Sequence, residues 1–353
     1  MVNMVVAADA SVDAAVDAAA ARLAAGGLVA FPTETVYGLG ADASDPQAVA
    51  AIFRAKGRPS DHPLIVHVPE GSDLGRWARD VPTTAMRLIE RFWPGPLTLI
   101  LPRREGVGEA AAGGQDTIGL RCPAHPVAQA LLAAYAALRT SRYPNAPIGI
   151  AAPSANRFGH VSPTSAAHVR DEFPDASTNY ASASIFILDG GDCPVGIEST
   201  IVDCSRLATI GPVLLRPGHV TAAMIEAAIG VSLRAADRDA PRASGTLEAH
   251  YAPTTPLRVV DASALRDAPD DVVVWTYSMG DERRRVHWRV APRDAGNYAH
   301  ELYAVLRALD ASGAREIWIE GPPQTAEWAG INDRLRRAAV ASRQSLSLAK
   351  QRK

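Results

Sequence analysis

Lysine is nearly missing from this 353-residue chain: of 36 basic residues only Lys56, Lys350 and Lys353 are lysine, and the remaining 33 are arginine. A bias that trades lysine for arginine wherever chemistry permits has left one lysine in the body of the chain. An ammonium is a compact point charge on a flexible stem, whereas guanidinium is a planar fork. A site that sets one charge on a phosphate oxygen therefore resists the exchange. Cysteine is as sparse. Cys122, Cys193 and Cys204 are dispersed, odd in number and without C-x-x-C spacing, which argues against a disulfide framework or structural zinc and suits a reducing compartment. No uninterrupted apolar run approaches the ~20 residues that span a bilayer. Asp9, Asp13 and Asp17 interrupt the N-terminal Ala/Val stretch, and no basic segment precedes it. The expectation is an untargeted cytoplasmic protein that does not engage membranes.

Familiar catalytic signatures are missing as well. There is no G-x-x-x-x-G-K-[ST] loop, no G-x-G-x-x-G spacing and no H-E-x-x-H. No Ser/His/Asp order or paired acidic motif stands out, so covalent and zinc catalysis have little support. Basic surplus is absent too. The net charge is −2, with 20 basic and 25 acidic side chains in residues 1–256 and 16 and 13 in residues 257–353. Proteins that grip long nucleic acids display a dense basic face. The larger part here is net acidic, so an anion is held by a few placed charges, which favours a small phosphate-bearing ligand.

What is present is an alternation of strands and helices. Ser11 caps a predicted helix with apolar positions Val12, Ala15, Val16, Ala19 and Leu23, ended by Gly26-Gly27. Its alanine richness reads as close packing. Leu28–Phe31 follows as a buried strand leading into a polar loop, Pro32–Gly40. Asp45-Pro46 and Gly57 bracket a helix over 46–56. Further strands are predicted at 63–68, 97–101, 117–121, 148–152, 185–188 and 198–203, with helices at 82–93, 126–138 and after Pro163. This is an α/β sheet covered by helices, with some antiparallel pairing near 185–215. Periodicity lapses between Gly230 and Pro256, the best linker. A second set follows: strands at 257–260, 272–277, 286–290 and 316–320, a helix at 296–310 and another ending near Arg337. The run Arg283-Arg284-Arg285 reads as a solvated loop. The expected division is 1–229, a 230–256 linker or lid, and 257–353.

Chemistry concentrates in few places. Lys56-Gly57-Arg58-Pro59 fixes two cations around a helix end; a helix dipole alone would explain Lys56 at ~0.3–1 kcal/mol but not the second, proline-stiffened cation. Thr33, Glu34, Thr35 and Tyr37 sit just beyond a buried strand, where open α/β sheets hold ligands. Ser154 with Asn156, and Ser199 with Thr200, repeat the pattern of small donors at strand edges. With Arg121 and Arg216 they suggest a converging polar pocket at the sheet rim. Cations, hydroxyls and backbone donors are the inventory that phosphoryl chemistry needs.

Taken in order, Phe31–Gly40, Lys56–Pro59, the strand ending at His67, Pro153–Asn156 with Ser162-Pro163-Thr164, Gly196–Thr200 and Leu214–Gly218 resemble the YrdC-like threonylcarbamoyl-AMP synthases. His250-Tyr251-Ala252-Pro253 and Ile331–Arg337 resemble the long form, with a smaller C-terminal Rossmann-like α/β domain after a YrdC-like twisted mixed sheet flanked by helices. The resemblance implies condensation of L-threonine, bicarbonate and ATP, with Mg2+, to threonylcarbamoyl-AMP and pyrophosphate, the first step of tRNA N6-threonylcarbamoyladenosine formation. A downstream tRNA threonylcarbamoyl transferase complex then takes the adenylate, and no stable tRNA binding is expected of this chain. Carried over by motif, Thr35, His67, Arg121, Ala152 and Ser199 line the threonine site. Arg58, His62, Thr117, Ser154, Ser162, Arg216 and Tyr251 contact ATP, with Lys56 beside its phosphates and Lys56 and Arg58 as the catalytic cations. No protein metal ligand is expected. Asparagine is usual where His62 stands. The alternative reading is an RNA-binding translation or ribosome-associated module, which the acidic balance disfavours. The related carbamoyltransferase of hydrogenase maturation needs further modules for which this chain has no room.

Overall fold

The computed structural model describes residues 12–174, 185–278 and 288–351. Ser11 and the Arg283–Arg285 run lie outside them. The chain divides into a first unit, which holds residues 1–158, 163–194 and 198–246, and a second, which holds 159–162, 195–197 and 247–353.

In the first unit, helix α1 (Val12–Ala24) buries Ala15, Val16, Ala19, Ala20 and Leu23, and Ala128, Leu131, Leu132 and Tyr135 of α5 (Pro126–Arg142) join the same apolar cluster. The alanines let the helices approach closely. Strand β1 (Leu28–Phe31) pairs antiparallel with β2 (Gly38–Asp42), so part of the stretch expected as a loop is a strand. Its glycines hid it, because glycine weakens a strand and adds no side chain to the pattern. They are there for space: a Cβ on Gly40 would lie 2.7 Å from Ile150 Cγ2 and 2.8 Å from Phe31 Cε1. Helix α2 (Pro46–Lys56) is capped by Asp45, whose side chain accepts from Gln47 N, and stopped by Gly57 at φ +63.

The remaining strands are β3 (Ile65–His67), β4 (Leu97–Pro102), β5 (Thr117–Arg121), β6 (Ile150–Ala151), β7 (Ile185–Ile187), β8 (Thr200–Asp203), β9 (Val213–Arg216) and β10 (Arg234–Ala235). With β1 and β2 they form, among the described residues, a ten-stranded sheet in the order β10-β9-β8-β4-β5-β3-β6-β2-β1-β7. Antiparallel pairing is wider than expected: besides β8 with β9 it joins β4 to β5, and β6 to both β2 and β3. Strand β10 falls within the 230–256 stretch and pairs with β9.

Paired residues project from the same face, and residues along a strand alternate between faces. One face carries Ala30, Leu39, Ala41, Val66, Leu99, Leu120, Ala151 and Val202, all within the main apolar cluster. Against it lie Val49, Ile52 and Phe53 of α2, Leu88 of α3 (Thr83–Phe92), Val169 of α6 (Ala166–Glu172) and Ile225 of α7 (Ala222–Ile229). Each fully buried aliphatic side chain there contributes about 1.5–3 kcal/mol.

Among the described residues the second unit has four parallel strands, β11 (Leu257–Val260), β12 (Val272–Thr276), β13 (Trp288–Val290) and β14 (Glu316–Glu320), ordered β11-β14-β12-β13. Helix α8 (Ala295–Asp310) is capped by Asp294 and buries Tyr298, Leu302, Tyr303, Leu306 and Leu309. Helix α9 (Ala329–Gln351) runs past its predicted end because neither glycine nor proline follows Arg337. Parallel strands, with α8 crossing from β13 to β14, are the Rossmann-like arrangement expected.

Candidate active site

The opposite face of the large sheet is not uniformly apolar. Its outer part is lined by Val29, Phe31, Ile150 and Ala152 under α1 and α5. Its other part carries an aliphatic group of Ile65, Ile100 and Ile201, with Ala243 packed against it. On the same face the register also sets polar side chains beside these apolar ones. His67 pairs with both Arg121 and Ile150, Thr98 with Ile201, Ile201 with Arg216, and Thr117 with Pro102. His67, Thr98, Thr117, Arg121 and Arg216 therefore share this face. His67, Arg121 and Arg216 are the last residues of β3, β5 and β9 and Thr98 the second of β4, so their row crosses this face near one end of the strands.

Arg121 and Glu34 form a buried ion pair, Arg121 Nη2 to Glu34 Oε1 at 2.7 Å. Arg121 Nε donates to Gly95 O at 3.3 Å, and Glu34 Oε2 accepts from Ala124 N at 3.1 Å. Beside Glu34, Thr33 Oγ1 accepts from the amides of Thr35 and Val36 and meets Thr35 Oγ1 at 2.8 Å, fixing the turn. His67 is 3% exposed, with Phe31 edge-on to its ring at 5.9 Å. Burial, then the Arg121 charge, pushes its pKa down to about 3. The imidazole is neutral at physiological pH.

Lys56, also 3% exposed, donates from Nζ to Ser154 O at 2.6 Å and to Asn156 O. The last turn of α2 is thus tied to the loop after β6. Burial and the neighbouring Arg58 charge lower its pKa well below that of ordinary lysine, while Glu172 opposes them; both carbonyls also favour the ammonium. Arg58 donates from Nη2 to Pro63 O at 3.0 Å, and its guanidinium carbon is 5.8 Å from the Phe158 ring centre. His62 meets the same ring edge-on at 5.4 Å, with its pKa lowered by burial and by Arg58. Lys56, Arg58, His62 and the Ser154 loop are brought together around Phe158.

Ser199, fully buried, meets Thr98 Oγ1 at 2.8 Å and receives Arg216 Nη2 at 3.1 Å, while Arg216 Nε donates to Ser199 O and Nη1 to Ser244 O at 2.7 Å. Ala152 N donates to Ile65 O at 2.9 Å, and Thr117 is half-buried. Thr35 is fully buried in the turn after β1. Ser162 and Tyr251 belong to the second unit. There Tyr251 has φ +62 and packs against His250 at 4.1 Å, Tyr303 at 5.8 Å and the Arg334 guanidinium at 5.5 Å.

Sequence reasoning gave no role to Phe158 or Thr98. Thr98 had a signal, being the polar member of an apolar strand. Phe158 had none, since its position depends on a loop. Among the described residues no group of three His, Cys, Asp or Glu side chains is placed to hold a metal ion, and no helix is long and apolar enough to cross a membrane.

A mixed sheet with one helix-covered face and one polar-centred face defines a YrdC-like α/β protein. The family described as Telomere recombination matches residues 21–218, and the Threonylcarbamoyl-AMP synthase, C-terminal domain, matches residues 220–340. The chain belongs to the threonylcarbamoyl-AMP synthase family, in its long form. It is 37% identical over 343 residues to the threonylcarbamoyl-AMP synthase of Pyrococcus abyssi, covering 91% of this chain and 93% of the relative. The Bacillus subtilis threonylcarbamoyl-AMP synthase is 39% identical over 343 residues, with 91% and 92% covered. A crystal structure of P. abyssi Sua5 complexed with L-threonine is similar at a TM-score of 0.79 and 36% identity, covering 94% of this chain and 95% of that one.

Proposed function

We propose that the polar centre of the sheet face is where this nucleotidyltransferase condenses L-threonine, bicarbonate and ATP into threonylcarbamoyl-AMP, releasing pyrophosphate and water. The observation that carries the reading is the register that sets His67, Arg121, Thr98 and Arg216 in one row across the sheet. The relatives' name and the threonine held by the P. abyssi protein support it. The RNA-module alternative is not favoured by any of these.

Arg121 takes the threonine carboxylate, and neutral His67 with Thr35 and Ser199 takes its polar groups. Threonine's amine captures the one-carbon unit as a carbamate. A carbamate oxygen then attacks the α-phosphorus and pyrophosphate leaves, so one P–O bond forms as another breaks. Lys56 and Arg58 neutralise the charge that develops on the leaving phosphates. Ile65, Ile100 and Ile201 offer an apolar bed for the nucleoside, with Thr117 and Arg216 at its margins. Mg2+ would enter with the nucleotide as part of the substrate and would supply further charge neutralisation beside Lys56 and Arg58. The adenylate passes to a separate transferase complex, consistent with the first 256 residues being net acidic.

Pyrophosphate release from ATP, followed with each substrate omitted in turn, tests the reading. Release that needs both threonine and bicarbonate is expected; release indifferent to threonine would contradict it.

A further inference from the structure

Glu34 is a buried carboxylate that nothing in the reaction uses. It is 6% exposed, in the turn between β1 and β2, and its partner Arg121 is 4% exposed at the end of β5. A buried charge pair is costly to desolvate and is weak evidence for a purely stabilising role. The pair's geometry is informative. Arg121 Nη2 and Glu34 Oε1 are 2.7 Å apart, yet neither makes an aligned hydrogen bond with any described residue. The contact is one of charge. Glu34 itself is anchored through Oε2 by Ala124 N, and Arg121 through Nε by Gly95 O. The guanidinium is thus held along one edge, and among the described residues Nη1 has no hydrogen-bond partner. A planar fork that must meet a carboxylate in two places gains from having its other edge fixed.

Resting on the reading of Arg121 as the threonine carboxylate's partner, we infer that Glu34 is a positioning residue that aims Arg121 at the amino acid. It acts through Arg121 and does not touch the nucleotide. Glu34→Gln keeps the shape and the acceptor for Ala124 N but removes the charge that holds Arg121.

The experiment measures KM for threonine and for ATP in the full-length wild type, Glu34→Gln and Glu34→Asp, with thermal melting alongside. The expected result is a rise in threonine KM of about tenfold or more in Glu34→Gln, the scale of one charge-assisted contact, with ATP KM within about twofold. Glu34→Asp keeps the charge on a shorter stem and falls between. Adding Glu34→Gln to Arg121→Gln then costs little more, because the two act through one contact. A threonine KM equal to wild type in both Glu34 variants overturns the inference, as does a rise shared equally by threonine and ATP, which marks a general structural role. Should Glu34→Gln not fold, Glu34→Asp decides alone. Failure of the wild type to make the adenylate would instead refute the assigned reaction.

Discussion

Replacing Lys56 with methionine, which keeps the length and apolar stem but removes the ammonium, separates the two tasks the structure gives that side chain. The first is architectural. Nζ donates to Ser154 O at 2.6 Å and to Asn156 O, tying α2 to the loop that carries Ser154. Hydrogen bonds from a charged donor are worth about 1.5–3 kcal/mol each, but burying an ammonium costs several kcal/mol, so the net loss expected from urea unfolding is about 1–3 kcal/mol. The second task is electrostatic. Loss of one placed charge beside the phosphates, at 1.4 kcal/mol per tenfold, lowers kcat/KM for threonine-dependent pyrophosphate release by about 30–100-fold. The proton provides an independent check. The folded pKa of Lys56 lies below 10.5, so between that lower value and 10.5 the unfolded chain holds a proton the folded one lacks. This contribution to stability therefore rises with pH through that window. Phosphate binding favours the ammonium again, so ATP binding in the same window takes up a proton, which calorimetry in buffers of different ionisation enthalpy detects in the wild type and not in Lys56→Met. Wild-type stability together with wild-type turnover in Lys56→Met would refute both roles.

Three further outcomes follow from neighbouring geometry. With His67 at about 3 in the fold against 6.5 unfolded, the unfolded state binds the extra proton in between. Stability contributed by neutral His67 is therefore lost as pH falls from 6.5 toward 3, by a few kcal/mol; chemical unfolding at several pH values should show a steeper acid loss in the wild type than in His67→Gln. Gly40→Ala sets a methyl group 2.7 Å from Ile150 and 2.8 Å from Phe31, so urea unfolding should register a loss of about 1–3 kcal/mol from overpacking. Arg216→Gln releases both Ser199 and Ser244 O, and steady-state kinetics should show KM rising for threonine and ATP together, unlike the threonine-selective effect of Glu34→Gln.

Much of this was legible in the chain. Asp45-Pro46 and Gly57 bracket α2 residue for residue, and β5 and β14 follow their apolar runs, because caps and buried strands are written locally. Strand β2 was hidden since Gly38 and Gly40 make room for Phe31, a requirement imposed by a residue on another strand. The sheet face was hidden for a related reason. That His67, Arg121 and Arg216 stand in one row depends on the register of β3, β5, β4, β8 and β9, and pairing between distant strands leaves no local mark. Glu34 could be read as a polar member of its motif, but its link to Arg121 exists only once β1 and β5 are in place.

The most direct test follows the one-carbon unit. The protein is incubated with ATP, Mg2+, L-threonine and carbon-13 bicarbonate, and the products are weighed by mass spectrometry. The account predicts threonylcarbamoyl-AMP carrying one heavy carbon, formed together with pyrophosphate and only when all substrates are present. ADP and phosphate as the products, or an adenylate without the label, would contradict it.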